Sequence, residues 1–134
     1  MKIGYTNRMI RTLLTVLVLS LLSTPVFAEW TKVEENVDGY TFYVDFERIR
    51  KHGGYVYFWE LLDYLKPSES GVLSHKTYAQ GDCKLFRYKD LSHSFHNEPM
   101  GLGTGVTVNK PDKEWSYPPP NSSGEITLKL VCSR

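Results

Sequence analysis

From Tyr55 to Leu65 the chain is apolar or aromatic at almost every position. At a period of two, Tyr55, Tyr57, Trp59 and Leu61 fall on one side and Val56, Phe58, Glu60 and Leu62 on the other. Both sides are largely apolar. The pattern predicts a central strand covered by core on one face and by a helix, loop or partner on the other. A helix over 58–65 is the competing reading, but the aromatic and β-branched content and the Gly53–Gly54 pair favour a strand. The stretch is too short to cross a bilayer and carries Glu60 and Asp63 within it.

Shorter runs flank it. "WTKV" at Trp30–Val33 and "GYTFYVDF" at Gly39–Phe46 predict strands joined by an "EENVDG" turn. Asp45 then heads a single helical turn stopped by Gly53 and Gly54, and "RIRKHG" at Arg48–Gly53 reads as solvated loop. Residues 72–97 alternate like antiparallel strands, with Leu73, His75, Thr77 and Ala79 on one face, Cys83, Leu85, Arg87 and Lys89 in another register, and a bend or bulge at Gly81. Residues 98–124 crowd Gly and Pro and predict mainly irregular chain. Ser122 and Glu125 form a capping box ahead of "ITLKLVC", which points to a C-terminal helix, whereas Ile126, Thr127 and Val131 suit a strand. The helix weighs slightly more.

Composition narrows the class. Lys2, Arg8 and Arg11, the apolar "TLLTVLVLSLL" at Thr12–Leu22 and "STPVFA" ending at Ala28 have the three-part form of a signal peptide, with cleavage expected after Ala28. Residues 1–28 are therefore the signal and 29–134 one domain. Its removal lowers the 16 basic residues to 13 against 15 acidic ones, a net charge of −2, which lacks the basic footprint of a nucleic-acid binder. Cys83 and Cys132 are the only cysteines, have no C-x-x-C spacing, and are expected to pair in an oxidising compartment, where they would clip a C-terminal helix to the sheet. Position 29 is Glu, not the cysteine a lipoprotein needs, so no membrane anchor is expected after cleavage.

Candidate chemistry is sparse. His93 and His96 with Asp90 suggest metal, but residues three apart on a straight strand face opposite ways, so no metal site is expected. The same geometry separates Glu60 from Asp63 and argues against a paired-acid hydrolase. "GLGTG" at Gly101–Gly105 matches neither phosphate-loop pattern, and no nucleophile motif has its context. No catalytic residue, cofactor or enzyme activity is expected. The aromatic residues remain. Their default use is core, and the alternative is a recognition patch, with Trp115 and Tyr117 the best exposed candidates and Tyr55, Tyr57 and Trp59 next.

As a set, "WTKV", "YVDFERI" at Tyr43–Ile49, "FWELLDY" at Phe58–Tyr64, "DCK" at Asp82–Lys84, "MGLG" at Met100–Gly103, Trp115 and the C-terminal cysteine resemble the surface-adhesin protein E family of Gram-negative bacteria. The resemblance implies an α+β, mostly β fold: an antiparallel sheet of about six strands with a C-terminal helix tethered by the Cys83–Cys132 disulfide. It also implies an exported, non-enzymatic binding domain mediating adhesion to host extracellular-matrix proteins or cells. The alternative is a periplasmic structural or accessory protein with an envelope partner. Homodimerisation by strand addition is a further mode a domain of this kind offers.

Overall fold

The computed structural model describes residues 6–13, which are helical, and 28–134. Most of the signal-peptide core and the approach to its cleavage site lie outside the described residues. No described helix is long and apolar enough to cross a membrane.

Seven antiparallel strands form one sheet: β1 (Thr31–Glu35), β2 (Thr41–Val44), β3 (Arg50–His52), β4 (Tyr55–Asp63), β5 (Ser74–Asp82), β6 (Arg87–His96) and β7 (Gly105–Val108). Their order is β1-β2-β4-β5-β6-β7. One edge of β4 is shared, because β2 pairs with its Glu60–Asp63 half and β3 with Tyr55–Tyr57. The chain leaves the sheet between β2 and β3 as a 3-10 turn at Phe46–Arg48. Three details depart from expectation. Asp45 precedes that turn without capping it through its side chain, "RKH" is a short exposed strand rather than loop, and the Gly-rich stretch contains β7.

The opening apolar run does form the central strand, and its two faces meet different neighbours. Val56 and Phe58 join Val44, Ala79, Leu128 and Val131 in the core. The C-terminal helix, Ser123–Cys132, covers this face. It starts because Ser122 Oγ accepts the Glu125 backbone N–H, while the Glu125 carboxylate reaches back to accept the N–H of Asn121. Thr127, Leu128 and Val131 are its buried residues. The strand propensity of Ile126 and Thr127 loses to this cap and to a buried stripe at helical spacing. At its last turn Cys132 is bonded to Cys83, in the turn after β5. That turn is fixed by Asp82, whose carboxylate accepts the backbone N–H groups of Lys84 and Leu85 and pairs with Arg87 at 2.9 Å.

Gly81 is neither bend nor bulge. It sits in register opposite Val56 and Tyr88, where a Cβ would lie 2.8 Å from Val56 Cγ1, 3.0 Å from Leu128 Cδ1 and 3.3 Å from Phe58. Here Leu128 of the helix packs directly on the sheet backbone. Gly81→Ala is expected to destabilise by about 1–3 kcal/mol through overpacking, read in urea unfolding with an unchanged m-value. Wild-type stability in this variant would mean that the helix rides on the sheet loosely. The bulge lies instead at Leu91, because Tyr78 pairs with Ser92 and Ala79 with Asp90.

Candidate functional site

The helix covers one sheet face only. On the other, β4 presents Tyr55, Tyr57 and Trp59, and β5 places Tyr78 opposite Trp59. Three of the rings form one group: Trp59 and Tyr78 centroids are 4.9 Å apart, and Tyr57 and Tyr78 are 6.2 Å apart. The Tyr57 hydroxyl accepts a hydrogen bond from Gln80 Nε2 at 3.2 Å. Beyond Tyr57, Tyr55 packs on Trp115 at 5.6 Å. Trp115 arrives there because the neighbouring Ser116 bridges to Tyr88 on β6. The Arg87 guanidinium and the Lys89 ammonium stand over its indole at 4.4 and 4.9 Å. Four of the five candidate aromatics thus join one face. Tyr117 lies just past it and is 63 % exposed, while Trp115 is half-buried by the rings and cations around it. Tyr78, Arg87 and Lys89 were not singled out from sequence. Period-two alternation from Trp59 across an assumed β4–β5 pairing would have found Tyr78, but the pairing partner was not readable.

At the β2–β3 break the same face deepens into a cavity of about 400 Å³, lined among others by Ala28, Trp30, Asp45, Arg48, Trp59 and Lys76. Thr31 pairs with Val44, so Trp30 stands next to Asp45, and the Asp45 N–H donates to the Trp59 carbonyl at 3.1 Å. Asp45, Trp30 and Trp59 thus meet at one cavity.

The covered face holds a second, smaller cavity of about 210 Å³ between helix and sheet, lined by Glu60, His75, Thr77, Tyr88, Asp90 and His93 together with the first turns of the helix. The Thr77 hydroxyl joins His75 Nε2 at 2.9 Å and His93 Nδ1 at 3.2 Å. His75 Nδ1 meets the Tyr64 hydroxyl at 3.3 Å, and His93 Nε2 lies 3.8 Å from Asp90. The bulge at Leu91 makes this possible. It inserts one residue, so Asp90 and His93, three apart, share a face, whereas His93 and His96 do not. Burial, reinforced by the Asp90 charge, pushes the Glu60 carboxyl up to about 8. Burial, with His93 nearby, pulls His75 down to about 4. Asp63, the partner first considered for Glu60, instead accepts the Met100 N–H at 2.8 Å. Among the described residues no group of three His, Cys, Asp or Glu side chains is arranged to hold a metal ion.

The sequence profile of the family described as Surface-adhesin protein E matches residues 30–133. Solved structures of Haemophilus influenzae protein E share the fold. Crystal form II superposes with a TM-score of 0.62 at 19 % identity, covering 82 % of this chain and 91 % of that one. A second structure of it gives 0.60, covering 82 % and 88 %, and protein E from the non-typeable organism gives 0.57, covering 82 % and 79 %, both at 19 % identity. No curated protein matches.

Proposed function

Because the chain belongs to the surface-adhesin protein E family, we propose that it is an exported, non-enzymatic binding domain whose sheet face opposite the helix, half-buried along its aromatic part and closed at the Leu61 end by the Pro99–Gly101 turn, engages a protein partner. The observation that carries this reading is a pair of aromatic groups on the face opposite the helix, Trp59 with Tyr78 and Tyr57, and next along β4 Tyr55 with Trp115. Rings already packed against one another lose little side-chain freedom on binding, which is what makes Tyr and Trp effective anchors. Arg87 and Lys89 at one end give the array a cationic rim that favours acidic partner surface. On this reading the partner is a host extracellular-matrix protein or cell-surface protein. The alternative, a periplasmic accessory protein, places the same face against an envelope protein.

A homodimer is supported by a different observation. β7 is an edge strand with all four residues exposed, Val106 at 67 % and Val108 at 42 %, so it offers unpaired backbone and apolar side chains to a second copy. It leaves the aromatic face free.

Two experiments test the proposal. Protease added to intact cells should remove the protein if it works on the outside, and complete protection would exclude host adhesion and leave the envelope reading. Binding to immobilised extracellular-matrix proteins should fall about thirtyfold in Trp115→Ala and in Tyr57→Ala, the scale of a hot-spot loss of about 2 kcal/mol. Binding unchanged in both folded variants would remove this face from the interaction.

A further inference from the structure

The cavity at the β2–β3 break contains a group that the aromatic array does not use. Asp45 is 1 % exposed, and neither of its carboxylate oxygens has a hydrogen-bond partner. The cation facing it, Arg48, reaches only to 3.4 Å, with a side chain 47 % exposed at the rim. Lys76 lines the same cavity, but its stem lies along the Gly101 backbone, where even a Cβ would come within 3.0 Å. A carboxylate this deeply buried is costly unless its lone pairs are met.

Ala28, at the expected cleavage position, lines the same cavity. The register sets Trp30 beside Asp45, so the nitrogen of Glu29 lies about one strand step, roughly 3.4 Å, further along. We propose that Asp45 is the receptor for the α-ammonium released when the chain is cut after Ala28, an inference that rests on the cleavage position read from the sequence. An export peptidase hydrolyses the Ala28–Glu29 bond. Water gives its hydroxyl to the Ala28 carboxyl and a hydrogen to the Glu29 nitrogen, which takes up a further proton at neutral pH. Before the cut that nitrogen is a neutral amide with one donor. Afterwards it carries a charge and three donors, Ala28 has left the cavity wall, and Trp30 and Trp59 line the same cavity, whose aromatic character suits a cation. Processing thereby gives the Asp45 carboxylate a partner, and the uncut chain differs from the cut one at this cavity.

The test uses protein exported from cells. Intact mass gives its first residue, and a start other than Glu29 overturns the proposal at its premise without touching the Asp45 geometry. With a Glu29 start, the amine is titrated by NMR after isotopic labelling and by its rate of acylation. The expected pKa is at least one unit above the ordinary 7.7–8.0 of an α-amine, with acylation at pH 7.5 slowed about tenfold. Asp45→Asn should return both to ordinary values. So should a glycine inserted between Ala28 and Glu29, which keeps Asp45 and moves the charge one residue away. An ordinary pKa in the unaltered protein, or a raised one that neither change lowers, overturns the proposal.

Discussion

Opening the Cys83–Cys132 bridge, by replacing both cysteines with alanine, is expected to lower the unfolding free energy by about 4 kcal/mol. The bridge closes a loop with a sequence separation of 49, for which the chain-entropy relation gives about that value at 25 °C. A domain of this size has a total stability of roughly 5–15 kcal/mol, so the variant keeps little in reserve. The loss should also be uneven. The ten-residue helix is too short to persist alone, and the bridge fastens its last turn while Leu128 and Val131 seat its middle. Amide exchange is therefore expected to quicken first in the helix and the turn following β5, and less in the β4–β5 pairing. A loss below about 1 kcal/mol in urea, or exchange that quickens evenly, would show that packing alone holds the helix.

Glu60→Gln is expected to change the pH dependence of stability more than any other single substitution. The folded-state pKa of Glu60 is raised to about 8 from its ordinary 4.5. Between those values the unfolded chain loses its proton while the folded one keeps it, so stability falls as pH rises from 4.5 towards 8. Each unit corresponds to about 1.4 kcal/mol, and the loss by pH 8 amounts to a few kcal/mol. Asp90, raised mainly by burial, acts in the same sense from β6, one strand beyond β5, and the Tyr88 hydroxyl, raised for the same reason, stays protonated throughout. His75 acts oppositely. Its pKa is lowered from 6.5 to about 4, so its contribution is full above 6.5 and lost as pH falls through that window. The two slopes cancel between about 4.5 and 6.5, giving a plateau with a fall on each side. Glu60→Gln keeps the size and neutrality of the protonated acid. It should abolish the alkaline fall and raise the melting temperature at pH 8 while leaving that at pH 5 nearly unchanged. An alkaline fall that survives the substitution would assign it to another group.

The parts legible in the sequence were those governed by local rules. Period-two alternation gave β4 its faces, the Ser122–Glu125 box started the helix, and two cysteines in an exported chain gave the bridge. What escaped depended on pairing across the sheet. β7 was hidden among glycines because it is only four residues long, too short for the alternation of Val106 and Val108 to stand out from the Gly- and Pro-rich chain around it. The bulge at Leu91 leaves no composition signal, yet it decides that Asp90 rather than Asp63 shares a chamber with Glu60. Asp45 looked like a helix cap because the residue type is right for one. Its burial at a cavity shared with Trp30 and Trp59 follows from the break between β2 and β3, which no local pattern announces. Residue type alone marks the candidate aromatics, and the fold brings Tyr55, Tyr57, Trp59 and Trp115 to one side because alternation along β4 and the Ser116 bridge carry them there.

The bridge also sets how the domain answers a pulling force. Tension applied between the two ends of the domain can draw out β1 to β5, but the ring of chain between Cys83 and Cys132 is bypassed by the covalent link. At about 3.4 Å per residue, that withholds roughly 170 Å of extension. Arg87, Lys89 and Trp115 lie inside the protected ring, whereas Tyr55, Tyr57, Trp59 and Tyr78 lie on the extensible side. Under tension the contact between Tyr55 and Trp115 is therefore the one that parts, and the Arg87, Lys89 and Trp115 cluster keeps its shape for as long as the disulfide stays closed.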